Sequence, residues 1–175
     1  GDYPFDRLRA LLGTLEPPPG MMPIPLSLGE PQHAPPAFLA ETVARETAGW
    51  SKYPPMRGTE PARAAIAAWL TRRFGLPDRM VDPETMVIPV SGTREALFMI
   101  ALAAVPETKN GQKPVVLMPN PFYQVYLGAA VMAGAEPVFV PADSNNGFLP
   151  DFAAVPEDIL ARTALAYYCS PANPQ

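Results

Sequence analysis

The sequence predicts an α/β protein in which a mostly parallel sheet carries helices on both faces, preceded by an N-terminal arm. Two observations carry this. From about residue 83 onward, short β-type apolar runs alternate with helix-length segments, and strands spaced this way join through right-handed βαβ crossovers. Of the 175 residues 48% are hydrophobic and only 17% charged, enough apolar side chain to fill a core covered on both sides. The 25 prolines and 12 glycines stay below the roughly 25–30% share at which a low-complexity chain is expected.

Taken in order, Phe5, Leu8, Leu11 and Leu12 mark a short helix, and Pro17-Pro18-Pro19-Gly20 turns the chain into an extended arm, because proline lacks the donor and fixes φ. Ala37 to Trp50 reads as a helix. A second begins at Thr59-Glu60-Pro61, with Thr59 as N-cap and Pro61 in the first turn, and closes at Gly75. Past Asp82-Pro83 the rhythm changes, and a soft boundary is expected there, between residues 1–82 and 83–175. Four strands are expected: Met86 to Val90, Val115 to Met118, Pro137 to Val140 and Ala164 to Cys169. Between them, helices are expected from Arg94, from Phe122 to Gly134 and from Phe152 to Leu160.

Charge and composition exclude several function classes. The net charge is −4 and the 13 basic residues are scattered, so no basic stripe exists to neutralise nucleic-acid phosphates or a membrane surface. The longest apolar run, Ala96 to Val105, is about half of a bilayer crossing. The start of the chain lacks the pattern of a secretory signal, and the single Cys169 makes no internal disulfide; a cytoplasmic protein is the expectation. His33 and Cys169 read as a loop residue and a buried small hydrophobe.

Open α/β sheets take ligands beyond the carboxyl ends of their strands, and three motifs fall there. Ser91-Gly92-Thr93-Arg94 turns into a helix start, where unpaired N–H groups and two hydroxyls can cradle a phosphate; the alternative is that Ser91 or Thr93 merely caps the helix. Tyr123, in Pro119-Asn120-Pro121-Phe122-Tyr123, offers a ring for a planar ligand, or is a core aromatic. Asn173, between two prolines, presents an amide to a ligand oxygen, or serves a turn.

Together with Leu26-Ser27-Leu28-Gly29-Glu30-Pro31 and Lys52-Tyr53-Pro54-Pro55-x-x-Gly58, these motifs appear in an order and spacing that resemble the N-terminal half of the fold-type I, pyridoxal-phosphate-dependent aminotransferases of class I/II. The Ser-Leu-Gly-Glu-Pro-Gln-His, Tyr-Pro-Pro-Met-Arg-Gly and Pro-Asn-Pro-Phe-Tyr-Gln-Val-Tyr segments most resemble bacterial succinyldiaminopimelate aminotransferases. The resemblance implies that residues 1–82 are the arm and a small-domain segment, and 83–175 the first half of an incomplete large domain. It implies pyridoxal 5'-phosphate as cofactor, with its phosphate held by Ser91, Gly92, Thr93 and Arg94, its ring stacked on Tyr123 and its 3-oxygen bonded by Asn173. Tyr53 would reach the neighbouring subunit's cofactor, implying a homodimer with shared sites, and Leu28 and Gly29 would close over the substrate.

The implied activity is transamination of an amino acid and a 2-oxo acid, N-succinyl-L,L-diaminopimelate with 2-oxoglutarate first among them, in lysine biosynthesis. The family's catalytic lysine, its pyridine-pairing aspartate and its carboxylate-binding arginine belong to the other half. Lys52, Lys109 and Lys113, the three lysines of the chain, stand at none of the family positions, so no catalytic residue is expected here and the chain is expected to be a piece of a longer enzyme. A non-catalytic cofactor- or phosphate-binding module, or a lyase or decarboxylase of the same fold type, are the alternatives.

Overall fold

The computed structural model describes residues 3–22, 24, 29 and 31–173. The chain divides into two compact units, Gly1–Tyr53 and Pro54–Gln175. The boundary expected near Asp82 falls inside the second. The first unit holds helices α1 (Pro4–Leu12) and α2 (Ala37–Arg45) and a 3-10 turn at Thr47–Ser51. Sequence periodicity runs the second helix on to Trp50; it ends instead at Arg45, and the following turn tightens to 3-10.

In the second unit, α3 spans Glu60–Phe74. Thr59 accepts a hydrogen bond from the Ala62 N–H at 3.4 Å, and Gly75 stops the helix in the left-handed conformation. Helix α4 (Thr93–Ala104) follows, then β1 (Val115–Asn120), α5 (Gln124–Met132), β2 (Glu136–Pro141), α6 (Glu157–Arg162) and β3 (Thr163–Ala166). The helix expected from Phe152 begins instead as a 3-10 turn, Phe152–Ala154; Pro156 pushes Val155 out of the helical region, and α6 starts after it.

The sheet has three strands in the order β2-β1-β3, all parallel. The strand expected at Met86 to Val90 is absent. Pro89 has no N–H to donate to a ladder, none of the described residues pairs with this run, and Met86, Ile88 and Val90 are exposed. Central β1 is buried on both faces, as a crossover sheet requires. Val116 and Met118 face Ala101 of α4 and Tyr126, Ala129 and Ala130 of α5. Val115 and Leu117 face Val155 and Ile159 on the α6 side.

Chain order reverses at β1: the crossover through α5 leads to one side of it, and the crossover through α6 returns to the other. The carboxyl ends of β1 and β3 lie side by side at this reversal, the position at which open α/β sheets take ligands. Among the described residues no helix is long and apolar enough to cross a membrane.

Candidate cofactor site

Gly92 is the N-cap residue of α4, at φ 136° and ψ 141°, so the helix start has no side-chain cap of the kind Ser91 or Thr93 would have supplied there. The first helical bond is the Ala96 N–H to the Gly92 carbonyl, 3.1 Å. The N–H groups of Thr93 and Glu95 precede it and have no intrahelical acceptor. The Glu95 carboxylate folds back over the turn: a Cβ on Gly92 would lie 2.5 Å from its Oε2. The helix dipole favours such an anion at this end. The turn thus has the donor set and the missing side chain that a phosphate cradle requires.

Tyr123 is the N-cap residue of α5, half-buried at the carboxyl end of β1. The Arg94 Nε donates to its hydroxyl at 2.8 Å, joining the turn to the ring across 29 positions of sequence. Behind Tyr123, the ring of Tyr126 meets it edge-on at 5.8 Å and stacks on Tyr167 at 4.3 Å. The Tyr167 hydroxyl donates to the Leu97 carbonyl of α4, 2.6 Å. These bonds tie α4, α5 and the chain beyond β3 into one frame. Neither Tyr126 nor Tyr167 was singled out in the sequence. Tyr126 carried a signal, three positions beyond Tyr123 on one helix face, but nothing marks Tyr167 as its partner.

Burial pushes the Tyr126 phenol above its ordinary value of 10.0, with Cys169 next to it adding to the rise, and burial alone raises Tyr167. Both phenols stay neutral in the folded chain at a pH where the unfolded chain would ionise them. Their contribution to stability is complete below pH 10 and is lost as pH climbs through the raised values. In an alkaline titration followed by phenolate absorbance, Tyr126 and Tyr167 are expected to ionise after the exposed tyrosines. The Tyr126→Phe and Tyr167→Phe variants should each lose part of that late component; an unchanged late component would contradict the assignment.

Of the other residues singled out, Asn173 lies exposed at a bend beyond β3. Tyr53, wholly exposed, and Gly29 belong to the first unit. Leu28 lies outside the described residues. A cavity of about 790 Å³ lies elsewhere, between α3 and the loop through Asp78 and Asp82. A smaller apolar one of about 280 Å³ adjoins the turn and is lined by Arg94, Glu95, Phe98, Met99 and Val125.

A helix start without a side-chain cap, joined by Arg94 to an aromatic ring just beyond the carboxyl end of β1, is an arrangement suited to a flat, phosphorylated ligand. The profile of the family described as aminotransferase class I and II matches residues 22–175, and the chain belongs to that family of enzymes, whose cofactor is pyridoxal phosphate. An LL-diaminopimelate aminotransferase of Desulforudis audaxviator is 33% identical over 174 residues, covering 98% of this chain and 42% of that protein. The crystal structure of an aminotransferase from Neisseria meningitidis matches with a TM-score of 0.88 at 36% identity, over 99% of this chain and 43% of that one. The N-succinyldiaminopimelate aminotransferase of Mycobacterium tuberculosis matches with a TM-score of 0.64 at 34% identity, over 84% and 37%. The chain spans about two fifths of the length of these relatives.

Proposed function

We propose that this chain is the cofactor-anchoring part of an aminotransferase that moves an amino group between a diaminopimelate-type amino acid and a 2-oxo acid. The observation that carries this is the Arg94–Tyr123 hydrogen bond, which sets a stackable ring beside an uncapped helix start. Pyridoxal phosphate, when bound, supplies an electron-accepting ring that stabilises negative charge at the substrate carbon. The Thr93 and Arg94 N–H groups and the Ser91 and Thr93 hydroxyls hold its phosphate. The Tyr123 ring covers one face and excludes water from it. Asn173 donates its amide to the 3-oxygen and so favours that oxygen's ionised form.

The substrate in this reading is N-succinyl-L,L-diaminopimelate, with 2-oxoglutarate as acceptor, in lysine biosynthesis. The segments quoted above and the mycobacterial structure support it. Several relatives are named for LL-diaminopimelate itself, which favours the free diamine as a second reading. A homodimer in the cytoplasm is the expected setting, with Tyr53 turned toward the partner; its full exposure supports that role.

The test is amino transfer by the protein in its full length, loaded with pyridoxal phosphate and offered each donor with 2-oxoglutarate. Glutamate formed from the succinylated donor supports the first reading, and glutamate formed only from LL-diaminopimelate the second. Cofactor binding with transfer from neither donor would sink both, leaving the binding-module or lyase alternatives.

A further inference from the structure

Arg63 lies on a helix of alanines yet its side chain is only 8% exposed. A buried guanidinium costs several kcal/mol unless its donors are matched, and here each of its three nitrogens donates. Nε donates to the Pro83 carbonyl at 3.0 Å, Nη1 to the Gly58 carbonyl at 2.7 Å and the Arg57 carbonyl at 3.4 Å, and Nη2 to the Glu84 carboxylate at 2.5 Å. One fork thus grips two segments, 57–58 and 83–84, that are far apart in sequence. Arg57 adds a hydrogen bond to the Glu84 carbonyl and lies 3.7 Å from its carboxylate. Asp82 holds the same corner by accepting from the Glu84 N–H at 2.9 Å and the Thr85 hydroxyl at 2.7 Å.

The second segment leads straight to the phosphate turn. Residues 86–90 form no ladder with any described residue, so the path of the chain into Ser91 is fixed by contacts at its two ends. At one end is the Arg63 fork. At the other, Gly58 (φ +73°) backs so closely on Pro89 that a Cβ there would stand 2.5 Å from the proline Cγ. Gly58 is itself held through its carbonyl by Arg63, so both anchors depend on the same side chain.

We infer that Arg63 is a positioning residue for the phosphate-binding turn, setting where Ser91 and Gly92 stand through Pro83, Glu84 and the Gly58–Pro89 contact. The inference rests on the cofactor reading above and deepens it: a residue remote from the ligand determines how well the turn distinguishes a phosphorylated ligand from its dephosphorylated form.

The test compares equilibrium affinities of the full-length protein for pyridoxal phosphate and for pyridoxal, which keeps the ring and lacks the phosphate. Arg63→Lys keeps the charge but loses the planar fork that spans two segments; Glu84→Gln keeps an acceptor and weakens the pair without burying a new group. Misplacement of the turn by a fraction of an ångström predicts a fall of about tenfold to hundredfold in the phosphate preference of the lysine variant, with pyridoxal affinity unchanged. A smaller fall in the same direction is expected for the glutamine variant. A merely structural Arg63 would lower both affinities in parallel or leave their ratio untouched, and either result in a folded variant overturns the inference. Should Arg63→Lys fail to fold, Glu84→Gln decides by the same ratio. A native protein with no preference for the phosphorylated ligand would overturn the cofactor reading itself and this inference with it.

Discussion

Replacing Gly92 with alanine lowers the affinity for pyridoxal phosphate roughly fivefold to 150-fold, the equivalent of about 1–3 kcal/mol. The backbone at Gly92 stands at φ 136° and ψ 141°, a region that a residue with a Cβ occupies only under strain. The new methyl would also meet the Glu95 carboxylate at 2.5 Å. That contact is the cheaper part, since the far end of a glutamate swings aside. The backbone strain has no such escape. Without ligand the turn relaxes to a conformation that alanine accepts, and phosphate binding must then restore the strained one, so the cost emerges in the binding equilibrium. Titration of the cofactor-free protein with pyridoxal phosphate checks this. Equal affinities for Gly92→Ala and the native protein would sink the idea. Adding Glu95→Ala to Gly92→Ala should recover little, because strain rather than collision is the cause.

Met118→Ala is expected to have the largest effect on stability, about 2–5 kcal/mol. Met118 is 0% exposed on the central strand, packed among Val116, Ala101, Tyr126, Ala130 and Tyr167. Its neighbours are held by sheet ladders, a helix pair and the tyrosine stack, and so cannot close around the space a truncated side chain leaves. Urea unfolding should show a lower midpoint with an unchanged slope. Met132→Ala, at the exposed end of α5, is the control and should stay within about 0.5 kcal/mol of the native protein. A shift for Met118→Ala no larger than the control's would contradict this account of the core.

What the sequence made legible was whatever is encoded within a few neighbouring residues. Thr59 and Gly75 bracket α3 where capping rules put them, and the apolar runs at 115, 137 and 164 became the three strands. The motifs at Ser91, Tyr123 and Asn173, which carried the family resemblance, are each contiguous. The failures share the opposite property. The run from Met86 to Val90 has strand composition, but a strand exists only with a partner, and composition supplies none. Arg63 looks like a solvated charge on an alanine-rich helix, and it is buried because carbonyls from residues 57, 58 and 83 converge on it. The Arg94–Tyr123 bond and the Tyr126–Tyr167 stack likewise join residues 29 and 41 positions apart, distances over which no local pattern speaks.

The support of the central strand has a mechanical consequence. β1 is paired with β2 over six residues and with β3 through Val115, Val116 and Leu117, and five of its six residues are buried. Tyr123, just beyond the end of β1, therefore stands on a stiff post, further braced by Arg94. In the proposed site a flat ligand would meet that ring as a surface already in place, and its orientation would be set there with little rearrangement of the protein.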